Sequence, residues 1–185
     1  GSVSEAIRLG CSAIGFTIYP GSDAALDMIS DIQDMTQEAK SAGLAVVVWS
    51  YPRGGDISKE GETAIDIVAY AAHMAALIGA HIIKVKPPTS HIELKEAKKV
   101  YIDENILIDT LGNRIKHVVK SCFQGRRLVV FSGGTQKDKD SFLTEIRGLY
   151  EGGASGSIVG RNSFQRPYNE ALNLLNEITD IYRGK

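Results

Sequence analysis

Five short apolar runs, each opening after a glycine or small residue and closing on glycine or proline, constrain this chain more than any other feature. They are Ala13 to Tyr19 before Pro20-Gly21, Leu44 to Trp49 before Tyr51-Pro52, His81 to Lys86 before Pro87-Pro88, Arg127 to Phe131 before Ser132-Gly133-Gly134, and Ser155 to Val159 before Gly160-Arg161. Each has the ordinary length of a strand, about five or six residues. Helical periodicities lie between them. Ala25, Met28, Ile29, Ile32 and Met35 keep an i, i+3, i+4, i+7 spacing, and the pattern returns over Ile65 to Leu77, Ile106 to Val119, Phe142 to Leu149 and Ala171 to Ile181. Near-continuous apolar strands alternating with amphipathic helices indicate a parallel sheet covered by helices.

Two architectures fit that alternation. An open nucleotide-binding sheet is disfavoured, because no GxGxxG follows the first strand. Every polar cluster falls instead where a strand ends, which is where the active sites of (β/α)8 TIM barrels sit. A barrel needs eight strands and about 250 residues, whereas this chain has 185 residues and five strand signals. The expectation is therefore an α/β chain carrying about the last five β/α units of a (β/α)8 TIM barrel, with the three N-terminal strands of such a barrel missing from it. Residues 1–185 read as one barrel domain, with residues 87–104 as a charged insertion that carries Lys95, Glu96, Lys98 and Lys99 and a short helix.

Composition removes several classes of function. With 21 basic and 22 acidic residues, no basic field points to nucleic acid. The most apolar stretch, Ile65 to Ile83, is interrupted by Asp66, His73, Gly79 and His81 and reads as a helix running into a strand, not a membrane span. No signal peptide is visible. Cys11 and Cys122 are far apart, with no CxxC or Cys/His ligand spacing, which points to a reducing cytoplasm rather than a disulfide scaffold. The four histidines also lack ligand spacing, so neither a metal nor another cofactor is expected.

The chemistry-bearing residues cluster at the strand ends. Within Ile82-Ile83-Lys84-Val85-Lys86, alternation sends Lys84 and Lys86 to one face and Ile83 and Val85 to the other. A lysine in a buried strand is costly, and a desolvated amine beside a second cation is poised to attack a carbonyl. The pattern leaves other roles open: strand-end lysines reaching solvent, or a phosphate ligand. Trp49 and Tyr51 share a face at the end of their own strand, ahead of Arg53 in a glycine-rich loop. Tyr51 is placed to move protons beside an amine, while Trp49 serves equally well as filler of a barrel mouth. Ser132, Gly133 and Gly134 at one strand end, with Gly160 and Arg161 at the next, suit a phosphate. Glycines admit backbone N–H groups close to an anion, Arg161 adds a charge-assisted clamp, and barrels commonly bind phosphate in the loops after strands seven and eight.

Taken together and in order, the strings AIGFTIYPGS (Ala13 to Ser22), WSYPRGG (Trp49 to Gly55), GAHIIK (Gly79 to Lys84), SGG (Ser132 to Gly134) and GRNSFQRP (Gly160 to Pro167) resemble the archaeal and bacterial class I fructose-bisphosphate aldolases. The resemblance runs from Ser4 to Arg183. It implies that Lys84, rather than Lys86, forms a Schiff base, that Tyr51 transfers protons beside Trp49, and that Ser132, Gly133, Gly134, Gly160 and Arg161 bind phosphate. Lys86 then supplies positive charge. The implied substrate is a phosphorylated sugar, fructose 1,6-bisphosphate, cleaved reversibly to dihydroxyacetone phosphate and glyceraldehyde 3-phosphate by a cytoplasmic homo-oligomer. Two departures stand out: His81 occupies a position where the family has aspartate, and the family's first-strand aspartate has no counterpart. Two alternatives remain. One is a related lysine-dependent enzyme, such as an aminodideoxyheptulosonate synthase or an autoinducer-2 phosphate thiolase. The other is a non-catalytic phosphosugar-binding fragment.

Overall fold

A computed structural model describes all residues from Gly1 to Lys185. The strands are β1 (Ala13–Ile18), β2 (Ala45–Ser50), β3 (Ile82–Val85), β4 (Leu128–Ser132) and β5 (Gly156–Ile158). The helices are α1 (Val3–Arg8), α2 (Ala25–Ser41), α3 (Ile65–Ile78), α4 (Lys95–Asp103), α5 (Leu111–Ser121), α6 (Lys139–Glu151), α7 (Arg161–Phe164) and α8 (Tyr168–Tyr182), with a 3-10 turn at Gly61–Thr63. All five strands pair in parallel, in sequence order. All five strand signals therefore appear as strands. β1, β3 and β5 are shorter than their signals, β3 and β5 most visibly, while β2 and β4 keep their expected length and lie one residue later.

Alternation separates two faces. Val46, Val48, Ile83, Val85, Val129 and Phe131 are fully buried and join Ile65, Ala72, Ile115, Ile146 and Leu174 from the helices in one core. That face explains the Val/Ile-rich strands, since a strand packed under helices gains from a branched side chain at each inward position. The opposite face carries Val47, Trp49, Ile82, Lys84 and Val130 half-buried, with Leu128 and Ile158 exposed. It is the face that bears both lysines.

The helix expected from Ile106 starts later, at Leu111. Asn105 adopts φ +48, which ends α4, and Thr110 caps α5 by accepting the Asn113 N–H at 3.1 Å. Ile106 and Ile108 still pack on the core, so their apolar spacing reported burial rather than helix. Within residues 87–104, α4 is anchored by the buried Tyr101, whose hydroxyl meets His117 Nε2 at 2.8 Å. Ahead of α4, the Asp66 carboxylate accepts the N–H groups of Glu93 and Leu94, both at 3.0 Å.

His81 lies off the lysine-bearing face and clamps the base of β2 to β3. Its N–H donates to the Val46 carbonyl at 2.9 Å, and the Val46 N–H donates to His81 Nδ1 at 3.0 Å. The acceptor nitrogen must be unprotonated, so the clamp needs a neutral ring. Burial holds the His81 pKa below the ordinary histidine value, and the positive charges of Lys40 and Arg127 act the same way. With the folded pKa depressed, the contribution is complete above the unfolded value and is lost as pH falls through the folded one. The melting temperature should therefore fall more between pH 7 and pH 5 in the parent than in His81→Asn, whose side-chain carbonyl accepts at either pH. His117, whose pKa burial also lowers, is common to both proteins and cancels. Equal pH slopes would remove His81 from this role.

Candidate active site

Parallel register aligns one residue from each strand in a row on the half-open face. Thr17 pairs with Trp49, Trp49 with Lys84, Lys84 with Val130, and Val130 with Gly156. One pleat further toward the strand ends come Tyr51, Lys86, Ser132 and Ile158. Trp49 thus sits beside Lys84, with its indole lying across β1 over Gly15. A Cβ at Gly15 would overlap that ring, so glycine here is a condition of the Trp49 pose.

The two lysines, equivalent by alternation, have different surroundings. Lys84 is half-buried and makes no ion pair. Its Nζ lies 5.9 Å from the centroid of the Tyr51 ring. Lys86 donates to Glu62 Oε2 at 3.1 Å, and Glu62 also accepts from Lys59 at 2.8 Å. The Lys86 charge is therefore shared with a carboxylate rather than open to an anion. Hydrogen bonding from Lys59, with a further contribution from Lys86, holds the Glu62 carboxyl below the usual carboxylate range against the opposing cost of burial.

The turn that carries Glu62 is fixed to the loop after β3. Thr89 N–H donates to the Thr63 carbonyl at 2.8 Å, and Ile65 N–H to the His91 carbonyl at 2.9 Å. Glu93 accepts Ser58 N–H at 2.8 Å and Ser58 Oγ at 2.9 Å. On the other side of the loop after β2, the Arg53 guanidinium stacks 5.4 Å from the Tyr19 ring centroid.

The two glycine-bearing strand ends meet. Gly133 N–H donates to the Ile158 carbonyl at 3.3 Å. The fully buried Asn162 ties the loops together, donating to the carbonyls of Gly133 and Thr135, both at 2.9 Å, and accepting Lys137 N–H at 2.8 Å. Arg166 completes the tie with bonds to the carbonyls of Asn162 and Lys137, both at 2.7 Å. Gly134 turns through φ +66, a left-handed conformation suited to glycine. Gly133 already spends its N–H on β5, whereas the Gly134 N–H makes no backbone hydrogen bond. Arg161, the first residue of α7, is exposed and unpaired.

The family described as DeoC/LacD family aldolase matches residues 1–166. The chain belongs to this aldolase family. "Fructose-bisphosphate aldolase class 1" of Thermoproteus tenax is 37% identical over 190 residues, covering 100% of this chain and 60% of the relative. A solved structure of "an Archaeal fructose 1,6-bisphosphate aldolase" superposes with a TM-score of 0.80 at 35% identity, over 100% of this chain and 63% of that one. Another, described as having "the catalytic Lys covalently bound to the carbinolamine intermediate of the substrate", superposes with a TM-score of 0.78 at 34% identity, over 98% of this chain and 62% of that one. The chain thus spans about 60% of the curated relative's length. Its five-stranded sheet corresponds to part of the TIM barrel in these aldolases.

All the residues expected at the site lie at the strand ends: Trp49, Tyr51, Lys84, Lys86 and Ser132 on the half-open face, Gly133, Gly134, Gly160 and Arg161 in the adjoining loops. Sequence reasoning missed Glu62, Asn162, Arg166 and Gly15. Asn162 and Arg166 stood inside the GRNSFQRP string without a role. Glu62 gave no signal, because one acid in a polar loop looks like solvated surface.

Two substitutions test this scaffold. Gly15→Ala should destabilise the fold by about 1–3 kcal/mol through overpacking and shift the emission of Trp49, the single tryptophan. Asn162→Ala should cost about 1–3 kcal/mol in urea unfolding and speed hydrogen exchange at the Lys137 amide. Unchanged exchange there would show that Asn162 does not tie the loops.

Proposed function

We propose that this chain carries the Schiff-base part of a class I fructose-bisphosphate aldolase site, with Lys84 as the nucleophile. The observation that carries the reading is the placement of Lys84 beside Trp49 and Tyr51, without a counterion, on the face that also meets the Ser132–Gly134 and Gly160–Arg161 loops. A solved structure of a relative whose catalytic lysine is covalently bound to the carbinolamine intermediate of the substrate supports the same chemistry.

In the cleavage direction the Lys84 lone pair attacks the ketose carbonyl of fructose 1,6-bisphosphate. The C–N bond forms, the carbonyl oxygen departs as water, and an iminium results. The iminium draws electrons from the C3–C4 bond as the C4 hydroxyl proton passes to Tyr51, whose own hydroxyl proton moves on to water in the same relay. Glyceraldehyde 3-phosphate leaves, and the enamine that remains is protonated and hydrolysed to dihydroxyacetone phosphate. Gly134 N–H and Arg161 hold a phosphate, and that remote binding positions the carbonyl against the amine. Trp49, the register neighbour of Lys84, lays its indole across β1 and lines the same face there. The reading extends to a cytoplasmic protein assembled as a homo-oligomer.

Borohydride reduction in the presence of dihydroxyacetone phosphate, followed by peptide mass analysis, should place one adduct on Lys84 and none in Lys84→Met. An adduct elsewhere in the parent chain, or no adduct at all, would defeat the assignment.

A further inference from the structure

Lys84 in β3 and Lys86 just past its end stand one pleat apart by alternation, roughly 6–7 Å between their Cα atoms. A carbonyl held over this face lies within reach of either amine, since a lysine stem is about as long as that separation. Both amines have the intrinsic chemistry for imine formation, so an enzyme that relies on one of them needs a reason for the other to stay silent. The contrast between them lies in Glu62.

Glu62 comes from the 3-10 turn Gly61–Thr63 and reaches across to the end of β3. Its side chain is 14% exposed, against 30% for that of Lys86 and 89% for that of Lys59, so the carboxylate is the sheltered member of the trio. The turn is not free to swing away. Thr63 is bonded through its carbonyl to Thr89 N–H and Oγ1, and Gly61 N–H donates to Ser58 Oγ at 2.9 Å. The Glu93 carboxylate packs where a Cβ on Gly61 would stand. Glu62 is thus braced from both sides by loops that follow β2 and β3. No comparable carboxylate faces Lys84.

We propose that Glu62 is a positioning residue that sequesters the Lys86 amine in an ion pair and so reserves carbonyl chemistry for Lys84. An amine must present its lone pair to attack a carbonyl, and an amine held as an ion-pair donor does not. The pair also ties the Lys86 amine to the loop after β2. Lys59 moderates the effect by sharing the carboxylate. The inference rests on the aldolase reading for its substrate, while the pairing itself is testable without any substrate.

The test reads both layers in the 185-residue chain. Trace acetic anhydride labelling at pH 8, quantified by peptide mass spectrometry, measures the nucleophilicity of each amine without reference to a sugar. In Glu62→Gln, Lys86 acetylation should rise about two- to fivefold, the range a partly exposed ion pair supports, while Lys84 acetylation changes little. In Lys59→Met, Glu62 serves Lys86 alone and Lys86 acetylation should fall. Borohydride trapping with dihydroxyacetone phosphate should then move from Lys84 alone in the parent to a mixture of Lys84 and Lys86 adducts in Glu62→Gln.

Unchanged Lys86 acetylation in Glu62→Gln overturns the proposal. So does increased acetylation with trapping still confined to Lys84. If circular dichroism shows that Glu62→Gln is unfolded, Lys59→Met decides: a fall in Lys86 acetylation supports sequestration and no change refutes it. Failure to trap an adduct on any lysine of the parent defeats the aldolase reading instead, and the acetylation series still decides the role of Glu62.

Discussion

The row Thr17, Trp49, Lys84, Val130 and Gly156, set by parallel pairing, is the constraint on which the rest of the structure depends. Side chains alternate with a period of two, so a one-residue slip in any strand would exchange its two faces. A slip in β3 would drive Lys84 under the helices and bring Ile83 and Val85 to the half-open face. Burial prevents that, because Ile83 and Val85 are fully enclosed and an uncompensated ammonium in their place would be prohibitively costly. The core that stabilises the sheet is therefore also the agent that aims the lysine.

Around this row the loops carry out tasks that strands cannot. The loops after β2 and β3 brace each other through Glu93, Ser58 and Thr89, which fixes Glu62 over Lys86. The loops after β4 and β5 are joined by one buried amide, Asn162, and by Arg166 outside it. In both pairs side-chain bonds add to the few backbone bonds that continue past the strand ends. Polar residues braced in this way hold the geometry of loops that the strand ladder no longer fixes.

The elements of the fold were legible because each is written locally. A parallel strand under helices needs an apolar run, and a turn at its end needs glycine or proline, so all five strands could be read from residues a few places apart. The Ile106 to Thr110 segment shows where such reading stops. Its isoleucines are spaced like a helix and pack on the core, yet Asn105 and the Thr110 cap keep the backbone out of helical form until Leu111. Apolar spacing reports that a residue is buried, and several backbone conformations satisfy it.

The sequence by itself determined which face of β3 carries the lysines, which residues stand at the strand ends, and the family to which these strings belong. Those properties follow from alternation and from motifs a few residues long. Only the tertiary structure decided that Lys86 meets Glu62 while Lys84 meets the ring of Tyr51, and that Asn162 joins two loops begun on different strands. These contacts bridge 24 to 33 positions of chain, with Lys86 and Glu62 24 apart and Lys84 and Tyr51 33 apart. No local pattern encodes such a meeting, because it depends on how helices of particular length return the chain to the sheet.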